Sequence, residues 1–282
     1  MKVEPISGAA GARITDIDLS EEMDDTAVQA VHQAWLHHHV LVFPEQELSE
    51  DDQVRFTAHF GELGKRHRKN APAESDRVSH PGTMLISNIR EDGKPIGSLP
   101  DGELLYHSDG SFAERPFRYT LLYALEVPSV GGNTKYANMH AAYDNLEDDL
   151  KEGLASCHAE HRYYANNNFD KETRVLSGRR QHPVFVAHEE TGRPALYASR
   201  LMTTKIVELP EDESRDVMNR LLSHAENPDI VYEHVWSPGD FVIWDNRCLN
   251  HARTDFPDGE RRLLRRTTVF GVDPVAASPR AA

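Results

Sequence analysis

The chain has 282 residues, of which 27% are charged and 39% hydrophobic, and a formal net charge of -15. That balance describes a globular protein large enough to bury a core without staples. The acidic excess argues against a nucleic-acid surface, although local arginines can still build a pocket for a small anion. Two cysteines, Cys157 and Cys248, are too few and too far apart for a disulfide framework and read as buried thiols of a reducing compartment. No apolar run approaches the roughly 18 residues of a membrane span, and MKVEPISGAAG lacks an apolar signal core. A cytoplasmic location with no membrane partner is expected.

Val3, Ile6, Ile14 and Ile17 alternate loosely around Gly8 and Gly11, which predicts one or two short edge strands over residues 1–20. Val28, Val31 and Trp35 fall at helical spacing behind acidic residues, and this helix runs into His37-His38-His39. Basic side chains there suit the helix dipole and solvent. VLVF from Val40 predicts a strand stopped by Pro44. Ser49 is placed to cap a helix with Phe56 and Phe60 on one face and Gly61 as its stop. Residues 64–83 read as a loop, and MLISNI (84–89) and RYTLLYALEV (118–127) as strands, the second closed by Pro128 and a Gly131-Gly132 turn. One helix is expected from Asn138 to Leu154, through Tyr143, Leu146 and Leu150. The polar, irregular stretch 163–181 reads as a lid over a site.

The last third returns to β character in PVFVAH and ALYAS, followed by a helix through Met218, Leu221 and Leu222. IVYEHVW, FVIWD and LLRRTTVFGV then read as three further strands. Strands with tight turns in the second half, and helices concentrated early, predict a mainly β jelly roll with flanking helices, as one domain over 1–282.

His107 and Asp109 in LLYHSDGSF stand at i and i+2, so an extended strand would turn both toward one ion. His251 offers a third ligand. Two imidazoles and one carboxylate on one face of an octahedral ion leave the opposite positions open, the arrangement of non-haem Fe(II) oxygenases. In a chain with 16 histidines neither half is decisive alone. Arg262, on what reads as the strand facing His251 across a hairpin, adds a guanidinium that burial would leave in need of an anion. With the Thr134 hydroxyl it could bind a carboxylate through charge-assisted hydrogen bonds. Alternation in RRLLRR indicates a strand with one inward face but leaves open which arginine it carries inward.

HSD at 107–109, GGNT at 131–134, WDNRCLNH at 244–251 and Arg261-Arg262 together resemble the taurine dioxygenase and chlorophenoxyacetate dioxygenase family, in the family's order. The resemblance implies a double-stranded β-helix and the use of Fe(II), 2-oxoglutarate and O2. It implies His107, Asp109 and His251 as iron ligands, with Thr134 and Arg262 on the far carboxylate of 2-oxoglutarate. It further implies hydroxylation of a small anionic substrate (an aryloxy acid, sulfonate or sulfate ester), with release of succinate and CO2. Cleavage of a C–O, C–S or C–N bond would follow where the hydroxylated carbon bears such an atom. Arg266 matches a position facing the substrate anion, and His67 one with a substrate-binding histidine; Asn88, Tyr106 and Phe112 are further candidate pocket walls. Dimers or tetramers are implied as well.

Two departures point away from taurine. Glu103 stands near where the taurine enzyme has an uncharged contact, and Tyr106 replaces a tryptophan. ISN at 86–88 and RCLNH are closer to the chlorophenoxyacetate branch. Three other readings stay open: a ring-cleaving iron dioxygenase, which has no use for Thr134 and Arg262; a zinc hydrolase, since two histidines and an aspartate also suit catalytic Zn²⁺; and a metal-stabilised β-barrel that binds without catalysis.

Overall fold

The computed structural model describes residues 1–65, 78–98, 102–163 and 178–277. The N-terminal part comprises β1 (Lys2–Pro5), β2 (Ala12–Thr15), α1 (Asp25–His38), β3 (Val40–Phe43) and α2 (Glu50–Ala58). There follow β4 (Met84–Ser87), the small hairpin of β5 (Arg90–Glu91) and β6 (Lys94–Pro95), β7 (Leu104–His107), β8 (Phe117–Glu126) and β9 (Thr134–Asn138). Next come α3 (Met139–Asp144), α4 (Asp148–Leu154), β10 (His158–Arg162), β11 (Arg179–Pro183), β12 (Phe185–Ala187), β13 (Pro194–Leu196) and β14 (Thr203–Ile206). The chain ends with α5 (Glu211–Ala225), β15 (Val231–His234), β16 (Phe241–Asp245), β17 (Leu249–Arg253), β18 (Leu263–Phe270) and β19 (Val275–Ala276).

Two sheets carry the architecture. A seven-stranded sheet runs β1-β2-β3-β16-β8-β18-β4, and a four-stranded antiparallel sheet runs β15-β9-β17-β7. Strand alternation explains how the larger sheet can bury both faces. On β3, β8 and β16, Val40, Val42, Leu122, Ala124, Val242 and Trp244 join the principal core, which also holds Tyr136 and Leu249 of the smaller sheet. The intervening Leu41, Phe43, Tyr119, Leu121, Tyr123, Phe241 and Ile243 pack instead with Val31 and Trp35 of α1 and Phe56 of α2. These strands therefore read as unbroken apolar runs. The result is a mainly β, double-stranded β-helix core, with α1 and α2 against one face of the larger sheet and α3, α4 and α5 joined to the principal core.

Local signals acted as their chemistry predicts. Asp24 caps α1 by accepting from the Ala27 amide, and Ser49 forms a reciprocal capping box with Asp52 at α2. Three expectations need correction. The single helix over 138–154 is two, α3 and α4, broken where Asn145 caps the first and Glu147 takes an extended conformation; the break lets Leu146 bury with Leu150 and Leu154. The stretch 163–181 is not irregular throughout, since β11 starts at Arg179 and pairs with β10; residues 164–177 lie outside the described residues. Finally, His251 and Arg262 do not face each other across a hairpin. β17 pairs with β9 and β7 in the smaller sheet, whereas β18 pairs with β8 and β4 in the larger one. The two strands belong to opposed sheets, and this puts their side chains on opposite walls of the barrel.

Candidate active site

His107 closes β7 and sits opposite His251 of β17 in the sheet register. Asp109 is not on the strand as expected but in the turn that follows it. The turn still brings the carboxylate back: Asp109 Oδ1 is 3.8 Å from His107 Nε2, and Oδ2 is 3.9 Å from His251 Nε2. The imidazole centroids are 4.1 Å apart, and all three residues are buried.

The groups around this cluster fit a cation. His107 Nδ1 lies 2.9 Å from the Leu105 carbonyl, which fixes the proton on Nδ1 and leaves Nε2 with its lone pair toward Asp109. Burial pushes both imidazoles down, His251 to about 3, so they are neutral donors near neutral pH. Burial works against the charged form of Asp109, but Arg266 and the two histidines outweigh it and hold the carboxyl at about 2. Thr120 Oγ1 donates to Asp109 Oδ2 at 2.8 Å and accepts from Asn246 Nδ2 at 2.8 Å. Asn246 Oδ1 in turn accepts from Trp244 Nε1 at 3.0 Å. Thr120 and Asn246 were not among the sequence candidates. Asn246 is inside the WDNR segment, but Thr120 is recognisable only as an inward hydroxyl in an apolar strand.

The second half of the site is cationic. Even-numbered residues of β18 turn inward, Leu264 into the principal core and Arg266 toward Asp109, with Nη1 3.5 Å from Oδ1. Arg265 points the other way, donating to Gln53 Oε1 and to the Leu48 and Ser49 carbonyls of the α2 cap. Arg262, just before the strand, is 2% exposed. Its Nε donates to the Gly132 carbonyl at 3.2 Å, and no carboxylate among the described residues forms an ion pair with it. Burial, then Arg253, lower its pKa to about 9. An uncompensated buried guanidinium is a standing cost unless an anion arrives.

The Gly131-Gly132 turn makes this approach possible. Both glycines have positive φ; a Cβ on Gly131 would lie 2.3 Å from the Asp255 carbonyl oxygen, and one on Gly132 would lie 3.3 Å from Arg262 Nε. Thr134, next on β9, accepts from Trp236 Nε1 at 3.0 Å, which leaves its own hydroxyl hydrogen to donate. Two residues on and therefore on the same face, the Tyr136 hydroxyl is buried beside that of Thr134. Tyr136 feels the charges of Arg262 and Asp109 and stacks on His251 at 6.5 Å, so it joins the two halves of the site. The i+2 spacing from Thr134 was the available signal for it.

The remaining candidates are dispersed. Asn88 braces Arg262, accepting from its amide at 2.9 Å and donating to the Glu260 carbonyl at 2.9 Å. Tyr106 precedes His107 on β7 and so turns to the opposite face, packing on the principal core within the field of Glu226 and Glu233. Phe112 is half-buried with its ring 5.0 Å from that of Tyr163. His67 lies outside the described residues.

Residues 2–268 match the family described as taurine catabolism dioxygenase TauD, TfdA. Pentalenolactone F synthase of Streptomyces avermitilis is 35% identical, the alignment covering 97% of this chain and 95% of that protein. The alpha-ketoglutarate-dependent 2,4-dichlorophenoxyacetate dioxygenase of Cupriavidus pinatubonensis is 34% identical, over 94% of this chain and 96% of the relative. Among solved structures, AAD-2 in complex with Mn(II) and N-oxalylglycine superposes with a TM-score of 0.82 at 28% identity, covering 97% of this chain and 99% of that one. A family match over nearly the whole chain, with relatives at 34–35% identity along nearly their full length, establishes that the chain belongs to the taurine catabolism dioxygenase TauD, TfdA family and is an oxidoreductase.

Proposed function

We propose that this protein is an Fe(II)- and 2-oxoglutarate-dependent dioxygenase, its whole length forming one dioxygenase domain, that hydroxylates a small organic anion and releases succinate and CO2. The observation that carries this reading is the buried His107–Asp109–His251 cluster with the Arg262 guanidinium, free of any carboxylate partner among the described residues, joined to it through Tyr136. His107, Asp109 and His251 would hold the iron by one face. Arg262, Thr134 and the adjoining Tyr136 hydroxyl would receive the far carboxylate of 2-oxoglutarate. When bound, iron with 2-oxoglutarate and O2 supplies the oxidising power that no side chain here possesses.

The chain's own residues bind, orient and exclude water. Thr120 and Asn246 fix the Asp109 carboxylate, so its rotation is not left to the ion. Arg266, whose Nη1 lies 3.5 Å from Asp109 Oδ1, would offer its guanidinium to the substrate anion beside the metal ligands. Asn88 would act by holding the Arg262 backbone rather than by lining the pocket. Relatives named for dichlorophenoxyacetate and for alkyl sulfates support an aryloxy acid or sulfate ester as the substrate class. A homo-oligomer in the cytoplasm belongs to the same reading, resting on the resemblance and on two free, buried thiols. No helix of the described residues is long and apolar enough to cross a membrane.

The test is anaerobic titration with Fe(II) and 2-oxoglutarate, followed by the visible metal-to-ligand charge-transfer band. It should appear in the wild type and be lost in Asp109→Ala. A panel of aryloxy acids, sulfonates and sulfate esters, scored by succinate release under oxygen, then assigns the substrate. Metal binding with no such band and no succinate would overturn the proposal in favour of a zinc hydrolase or a non-catalytic module.

A further inference from the structure

A second group of ligand-type side chains lies apart from the triad. His39, His140 and Cys248 are buried, and each brings a ligating atom within 4.8 Å of the others. They come from three places: the C-cap of α1, the first turn of α3, and the segment just before β17. The histidine triplet at the end of α1 is thus split by the fold. His37 is exposed, but His39 is 6% exposed.

Three observations point to a ligand. Cys248 Sγ is 3.5 Å from His39 Nδ1. A tetrahedral zinc shell, with Zn–S near 2.3 Å and Zn–N near 2.0–2.1 Å, sets its S···N edge at about 3.5 Å. His140 Nδ1 contacts the Pro194 carbonyl at 2.6 Å, which fixes the proton there; Nε2, left with the lone pair, is buried and has no partner among the described residues. A carbonyl-fixed tautomer of this kind presents imidazole nitrogen to a metal. His39 also has φ 64, a conformation that helix C-termini usually give to glycine, so a side chain is kept where its absence would relieve strain. Asp245 lies alongside, with His188 Nε2 at 3.0 Å and Arg247 Nη2 at 2.6 Å from its Oδ2.

We propose that His39, His140 and Cys248 form a second metal site that takes Zn²⁺ through two imidazole nitrogens and one thiolate. Binding displaces the Cys248 thiol proton to solvent, and no electron moves. Donor softness keeps the sites distinct, because the sulfur selects a softer cation than the carboxylate-containing triad. Cys248 is three residues before His251, so the ion would tie the segment leading to that histidine to α1 and α3. This role does not depend on the dioxygenase reading.

The test uses the full chain, stripped of metal by chelation, with Co²⁺ as the probe. A sulfur-to-cobalt charge-transfer band in the near ultraviolet reports this site alone, because the triad contains no sulfur. We expect the band in wild type, in Asp109→Ala and in Cys157→Ser, its loss in Cys248→Ser, and its displacement by Zn²⁺. Total bound Co²⁺ in wild type should exceed that in Cys248→Ser by one equivalent, with circular dichroism showing that the variant is folded. A wild-type protein that binds Co²⁺ but gives no such band at any excess would overturn the proposal and leave a plain thiol–imidazole hydrogen bond. So would a band that survives in Cys248→Ser. The wild-type spectrum decides the first outcome whether or not the variant folds.

Discussion

Replacing Arg262 with methionine separates a ligand-binding role from a structural one, because the two predict opposite effects on stability. The guanidinium is 2% exposed, and burial followed by Arg253 pulls its pKa from the ordinary 12.5 to about 9. At about 1.4 kcal/mol for each tenfold change, that is a burden of up to about 5 kcal/mol on the ligand-free protein. The sign follows from a cation that burial disfavours in the folded state. Because a guanidinium stays protonated, the burden is carried throughout the working pH range. Apolar replacement of a buried ion is often neutral or stabilising, by about 1–4 kcal/mol, so ligand-free Arg262→Met should melt at or above the wild type. Binding should move the other way. Two charge-assisted hydrogen bonds of roughly 1.5–3 kcal/mol each are removed, which weakens 2-oxoglutarate by about 100- to 10,000-fold. Anaerobic calorimetry on the Fe(II)-loaded protein measures the affinity, and melting curves with and without 2-oxoglutarate measure the linkage. At a hundred times its Kd, the ligand should stabilise wild type by about 2.7 kcal/mol and leave the variant unmoved. A variant that binds 2-oxoglutarate as wild type does, or whose ligand-free form is several kcal/mol less stable, would refute the reasoning and make Arg262 a structural residue.

Arg266→Ala should raise the KM for the organic anion by roughly 10- to 100-fold, the value of one charge-assisted contact, with 2-oxoglutarate affinity nearly intact; steady-state kinetics varying each substrate separately will show which is affected. Thr120→Val keeps the shape of the side chain but removes the hydroxyl between Asp109 and Asn246. It should weaken metal binding by about 10- to 100-fold with the fold intact, as read by metal titration and circular dichroism. Gly131→Ala places a Cβ 2.3 Å from the Asp255 carbonyl oxygen at φ +74, so a loss of at least about 1–3 kcal/mol is expected in urea unfolding. Asp245→Asn removes the charge shared by the buried His188 and the half-buried Arg247, but Arg247 keeps Glu189 and Glu190, so the loss should be about 1–3 kcal/mol. Although burial raises the pKa of Asp245, Arg247 and His188 outweigh it, and the net shift is well below the ordinary range. Its contribution is therefore full above the unfolded carboxyl pKa of about 3.9 and is lost as the pH falls below that. Wild type should accordingly lose stability on acidification more steeply than the variant, which acid denaturation curves can check.

Much of this protein was legible in its sequence because the signals are local or short-ranged. Ser49 with Asp52 specifies a helix start through two hydrogen bonds within one turn. The unbroken apolar runs VLVF and FVIW specify strands buried on both faces. Four separated motifs in a fixed order carried the resemblance, and with it the triad. What the tertiary structure decided was direction and company. Whether Arg262, Arg265 or Arg266 faces inward depends on the register of β18 between β8 and β4, and a one-residue slip would exchange them. The partners of His251 are set by opposed sheets, since its neighbours come from β7, β9 and the far wall rather than from a hairpin. The same is true of His39, whose place in a helix-terminal triplet suggested only solvent. Its ring meets His140 and Cys248 because α1, α3 and the approach to β17 converge there, across separations of about 100 and 200 residues. Local chemistry fixes which elements form, whereas burial of their faces against one another fixes which side chains share a site.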